Sequence, residues 1–168
     1  DEFRRNQQYA PFLRCQNMLL RIYAEREDEA SVNRTKDLLQ DMVLQNEIQL
    51  NAKTHHALGS FALLKGQLSS ALEYFRKSLA MALAEGNQED MCYAINSIAI
   101  CYMKQEKYAE ALKEVYNLKV FFQVVDIPEV RLASEMLNAI ILRNLGKYDE
   151  SLQICGECFD LLKTIKSH

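Results

Sequence analysis

Two prolines and five glycines among 168 residues leave little material for loops, and no low-complexity segment or linker interrupts the chain. No apolar stretch reaches the ~18 uncharged residues that a membrane-spanning helix needs, so a membrane is not an expected partner. No long basic run occurs and the formal net charge is −3, which removes the electrostatic footprint of a nucleic-acid binder. Also missing are a Ser/His/Asp set, a paired-carboxylate motif and a glycine-rich phosphate loop. The chain is therefore expected to be no enzyme and to need no cofactor. Its start, Asp1-Glu2-Phe3-Arg4-Arg5, has neither an initiator Met nor an apolar signal segment. It reads as a piece of a longer protein, or as one trimmed at its N-terminus.

Five cysteines are an odd number without the spacing of a small disulfide scaffold. They sit in apolar helical patterns, which predicts free, buried thiols in a reducing compartment, with the cytoplasm as the default location. Cys155-Gly156-Glu157-Cys158 is a CxxC, but no strand precedes it, as a redox motif would require. Cys92 and Cys101 have the wrong spacing to complete a zinc site, so core packing is the stronger reading and no metal is expected. His55 and His56 cannot share a helical face, because adjacent residues point about 100° apart. Glu47, Glu73, Glu114 and Glu157 read as surface or inter-helix charges.

A short pattern recurs every 40 residues. Gln67-Leu68-Ser69-Ser70-Ala71-Leu72 is followed by Lys107-Tyr108-Ala109-Glu110-Ala111-Leu112 and by Lys147-Tyr148-Asp149-Glu150-Ser151-Leu152. Stepping back once more from the small residue of each hexad lands on Ser31. A fixed period of a few tens of residues marks a solenoid of stacked supersecondary units, and such stacks present extended concave binding surfaces. Apolar residues return at three- and four-residue spacing throughout, so the expected class is all-α.

Breaks fall at Glu25 to Glu29, at the turns Lys65-Gly66-Gln67, Gln105-Glu106-Lys107 and Leu145-Gly146-Lys147, and at Glu85-Gly86-Asn87 and Asp126-Ile127-Pro128. Asp126 with Glu129 predicts a capping box, with Pro128 in the first helical turn, and Asn87 with Asp90 gives a similar signal. These breaks predict one domain over 1–168, with repeats at about 9–48, 51–86, 88–126 and 127–166. First helices are expected near 9–25, 51–65, 88–104 and 127–144, and second helices near 28–48, 68–85, 108–125 and 148–166. The run Val120-Phe121-Phe122-Gln123-Val124-Val125 is wider than one helix face needs. It is either a helix buried on two sides or an exposed contact surface.

These residues resemble the tetratricopeptide repeat, in a long-helix form. Repeat two carries Leu58-Gly59, Ala62, Gly66, Leu68, Ala71, Phe75 and Ser78, and repeat three Ile98-Ala99, Tyr102, Glu106, Tyr108, Ala111, Val115 and Leu118. Repeat four carries Asn138-Ala139, Leu142, Gly146, Tyr148, Ser151, Cys155 and Cys158, and a degraded repeat one Met18-Leu19, Ile22, Ser31 and Thr35. The period exceeds the usual 34 residues of that family. The resemblance implies a right-handed α-solenoid of four helix pairs. It also implies a protein-interaction scaffold that binds a peptide or helical segment of a partner in its groove. The alternative is a peptide-sensing regulatory domain of a bacterial transcriptional or signalling regulator.

In that family the first helix of each repeat lines the groove. The positions carried over are Asn17 and Tyr23, with Gln16 and Leu20; Lys53, His56 and Ser60, with Leu63; and Tyr93, Asn96, Ile100 and Lys104, with Met103. Repeat four contributes Met136, Ile140 and Arg143, with Ala133 and Leu137. The final helix carries apolar residues around more than one face. Phe159, Leu162 and Ile165 are therefore expected in a self-association contact, a homodimer through the C-terminal helix, or in docking against a partner or a missing segment.

Overall fold

The computed structural model describes residues 2–45 and 48–166, the side chains of 2–8, 164 and 166 excepted; Asp1 and Glu47 lie outside the described residues. Among the described residues the protein is all-helical, with eight helices and no strand. They are α1 (Glu2–Glu25), α2 (Glu29–Leu44), α3 (Ala52–Leu64), α4 (Leu68–Glu85), α5 (Gln88–Lys104), α6 (Tyr108–Phe121), α7 (Pro128–Asn144) and α8 (Tyr148–Lys166). None is long and apolar enough to cross a membrane.

Helix starts follow side-chain chemistry. Asp28, Asn51 and Asn87 each accept a hydrogen bond from a backbone N–H three residues on, at 3.1, 2.9 and 3.1 Å. This satisfies one of the donors that a helix start leaves unpaired. The capping box expected at Asp126 is absent: Ile127 is the N-cap of α7 and makes no side-chain cap bond. Pro128 explains the difference, since proline is pre-organised for the first helical position and holds the preceding residue extended. Three other boundaries move, one of them the end of α2, expected near 48 and found at Leu44. The structure carries α1 past Pro11 back to Glu2, and ends α6 at Phe121. The apolar run then leaves the helix, with Val120 and Val124 exposed and Phe121, Phe122 and Val125 half-buried.

The ends of α1, α3, α5 and α7 share one closure. Among the described residues those at positive φ are Glu27, Gly66, Glu106 and Gly146, at 56°, 71°, 59° and 76°, with Gly86 at 65° in a different turn. Beside each of the first four, the next N–H reaches back five residues: Asp28 to Tyr23, Gln67 to Ala62, Lys107 to Tyr102 and Lys147 to Leu142, each at 2.9 Å. Glycine takes this left-handed conformation freely, whereas a side chain there costs ~1–2 kcal/mol. Glu106 stands where both neighbouring repeats have glycine. Glu106→Gly is therefore expected to stabilise the chain by about 0.5–1 kcal/mol, read as a higher urea midpoint at unchanged m. A midpoint at or below wild type would remove this account of the turn.

The helices pack as two compact units, Asp1–Glu85 and Gly86–His168. In the first, α1 lies against α2 and α3, and α3 against α4. Its core joins Leu13, Leu20, Val32, Leu39, Ile48, Ala57 and Leu58. Gly59 of α3 meets the ring of Phe75 on α4, and Ser78 donates to the Ala52 carbonyl at 2.8 Å. In the second unit α5 lies against α6 and α7, and α7 also packs on α6 and α8. There Ala99, Ala111, Val115, Leu137 and Ile141 form the core. Ser151 donates to the Ala139 carbonyl at 2.8 Å, and Lys119 of α6 pairs with Glu135 of α7 at 3.2 Å.

Cysteines depart from expectation in part. Cys92, Cys101 and Cys158 are buried, but Cys15 and Cys155 are exposed. The two ends of the CxxC point about 60° apart on α8, and the inward boundary of the helix falls between them. Cys158 faces inward and Cys155 does not. Burial pushes the Cys101 thiol up to about 11, which holds it protonated and inert.

Candidate functional site

The groove positions separate into two sets, one on each unit. On the first unit, α1 turns its share toward its own core. Leu20 is buried, Tyr23 packs against the core cluster, and the Asn17 side-chain oxygen is enclosed without a hydrogen-bond partner. Met18 and Ile22, the motif positions of the degraded repeat one, are exposed. On α3, Lys53 is exposed and Ser60 half-buried, while the His56 ring lies 5.1 Å from that of Phe75. This set makes more internal contacts than a free binding face would.

His55, next to these, has a half-buried ring with an enclosed, unpartnered Nδ1 and a centroid 6.4 Å from that of Tyr74. Burial, and then the Lys77 charge, hold its pKa below the ordinary 6.5. Below pH 6.5 the unfolded chain binds a proton that the folded chain refuses, so stability falls as pH drops from 6.5 toward the folded value. Asp28 and Glu73 act lower, since their ordinary values are 3.8 and 4.5 and both are depressed further. Unfolding midpoints measured between pH 7 and pH 5 should therefore decline in wild type and decline less in His55→Gln. Parallel profiles for the two proteins would exclude His55 as the cause.

The second unit presents a better-formed surface. Tyr93, Asn96 and Ile100 follow at three- and four-residue spacing on α5, and Met136, Ile140 and Arg143 do so on α7, so each triplet shares one helix face. The two helices pack side by side. Tyr93, Met136 and Ile140 are exposed apolar residues, and Ile100 sits at the edge of the core. Leu137, expected among them, is buried, and its neighbour Ala133 is exposed.

Charge divides this face lengthwise. Burial and then the carboxylates of Glu89, Glu129 and Asp90 push the Tyr93 phenol up, so the first turn of α7 lies beside the start of α5. Glu89 and Glu129 are exposed and make that end acidic, while Asp90 is buried and accepts from the Asn87 side-chain amide at 2.7 Å. Lys104 and Arg143, in the last turns of the same helices, are exposed and basic. The Asn96 side-chain oxygen is enclosed and has no hydrogen-bond partner.

Sequence reasoning named the residues of this surface but missed its acidic end. The signal was present, since Glu89 and Glu129 both occupy first turns, where carboxylates also favour the helix dipole. Among the described residues no group of three or more His, Cys, Asp or Glu side chains is placed to hold a metal ion. No protein-family model matches the chain, and no curated protein sequence matches it.

Proposed function

We propose that this chain is a tetratricopeptide-like, non-catalytic interaction module that binds a peptide or helical segment of a partner protein. The observation that carries the reading is the α5/α7 face. Tyr93, Ile100, Met136 and Ile140 form its apolar middle, between the acidic end at Glu89 and Glu129 and the basic end at Lys104 and Arg143. Apolar anchors supply affinity, and charges at opposite ends select the direction in which a segment lies. The fitting ligand is an amphipathic segment with two or three large apolar residues, basic at one end and acidic at the other.

A displayed peptide library tests this. Wild type is expected to enrich sequences of that charge order. Ile140→Glu should weaken a selected peptide by about 100-fold, and Arg143→Glu by about tenfold, with melting temperatures unchanged. Failure to enrich, or equal binding by Ile140→Glu, would reject the α5/α7 face as the site.

A further inference from the structure

Helix α8 carries a second apolar line that its own unit does not cover. Tyr148, Leu152, Cys155, Phe159 and Leu162 follow at steps of four, three, four and three residues, the spacing of a helix-pairing seam. Tyr148, Leu152 and Phe159 are 64%, 69% and 62% exposed. The line beside it, about 80° around the helix, faces inward: Ser151 and Cys158 are buried and Ile165 is half-buried. Ile165, grouped by sequence with Phe159 and Leu162, therefore belongs to the inner line.

The outer line has the character of a helix-accepting surface. Forty residues earlier, Tyr108 and Leu112 hold the same places on α6, where they pack against the cluster containing Leu137 and Ile141 of α7. On α8 the equivalents, Tyr148 and Leu152, are bare. One difference matters. Where α6 has Lys119, paired with Glu135 of α7, α8 has Phe159. The helix that covers α8 must meet a phenyl ring there rather than bring an acid, and α8 itself offers such a stripe.

Charge and shape specify how two copies meet. Asp149, Gly156 and Lys163 follow at seven-residue intervals, so they form one exposed line along the helix. An antiparallel pair about a twofold axis at Gly156 places Asp149 of each copy opposite Lys163 of the other, because both lie seven residues from the axis. A parallel pair would oppose like charges. At the axis, a Cβ on Gly156 would meet no described atom within 4 Å. Its own fold therefore does not require glycine in mid-helix, whereas close approach of a second backbone does. In the single chain Lys163 turns to Asp160 at 3.0 Å and lies 4.4 Å over the Phe159 ring, contacts it can exchange for Asp149 of a partner. Exposed ion pairs add little affinity, so the charges set direction and the apolar seam supplies strength.

We infer that α8 is a self-association helix through which two copies of this chain pair antiparallel along the Tyr148–Leu162 seam. The contact is isologous, as a twofold dimer requires, and it is independent of the α5/α7 reading. Sedimentation equilibrium on the full chain tests it. Wild type is expected to be dimeric and Phe159→Glu monomeric with an unchanged circular dichroism spectrum. Asp149→Lys should weaken the dimer by about tenfold, and Asp149→Lys/Lys163→Asp should restore it. Wild type that stays monomeric at its highest soluble concentration, or a dimer that survives Phe159→Glu, would overturn self-association through α8. A double reversal as weak as the single would overturn the antiparallel arrangement.

Discussion

Leu39→Ala is expected to cost the first unit about 3 kcal/mol, and Leu38→Ala, its immediate neighbour, less than about 1 kcal/mol. Leu39 is fully buried at 0% exposure, inside the cluster with Leu20 and Val32, whereas Leu38 is 45% exposed. Truncating the first leaves a cavity in a close-packed interior, while truncating the second removes surface that water already reaches. Urea unfolding reads the difference directly, as a large midpoint shift for one variant and a small one for the other. The 40-residue phase would give the opposite ranking, because two steps back from buried Leu118 lead through Ser78 to Leu38. Comparable losses at both positions would mean that α2 does not hold one register.

The cause of that reversal lies in the first turn. Gly66, Glu106 and Gly146 are spaced by 40 residues, but the matching left-handed residue before them is Glu27, only 39 before Gly66. The first hairpin therefore runs one residue out of phase with the others. Val32 takes the place that Ala71 and Ala111 hold, Leu20 the place of Gly59, and Tyr23 the place of Ala62 and Tyr102. One residue rotates a helical face by about 100°. This is why Met18 and Ile22 emerged on the surface and Leu20 and Tyr23 turned inward. The sequence could not reveal the slip. Glu25 to Glu29 contains no glycine to mark the turn, and the doublets Leu19-Leu20 and Leu38-Leu39 satisfy either phase.

Where punctuation was explicit, the reading was close. Glycine or asparagine at the turns placed α4, α5 and α8 at their observed bounds. The second apolar side of α8 was also legible, since its apolar residues were too many for one neighbour. What periodicity could not tell was which line faced inward, because Leu152 and Ile154 or Cys155 and Cys158 are interchangeable in pattern. Ser151 decides it, through its buried hydrogen bond to the Ala139 carbonyl.

The pair Gly59 and Phe75 should show the strongest coupling in the protein. A Cβ built on Gly59 would stand 2.7 Å from two carbons of the Phe75 ring, a distance that the fully buried ring has no room to relieve. Gly59→Ala should lose about 1–3 kcal/mol by overpacking, less the ~1 kcal/mol that alanine gains in a helix. Phe75→Val alone should lose about 3 kcal/mol by emptying the space the ring fills. Forty residues on, the same two places are held by Ala99 and Val115, buried in one cluster. The second unit thus already displays the solution that the double variant would adopt. Gly59→Ala/Phe75→Val should therefore be less destabilised than the sum of the singles by at least about 1 kcal/mol, because each change removes the fault that the other creates. Strictly additive losses would mean that the α3–α4 contact is set elsewhere. The volume exchanged between a first helix and its second would then not be what lets one repeat replace large-with-none by medium-with-small.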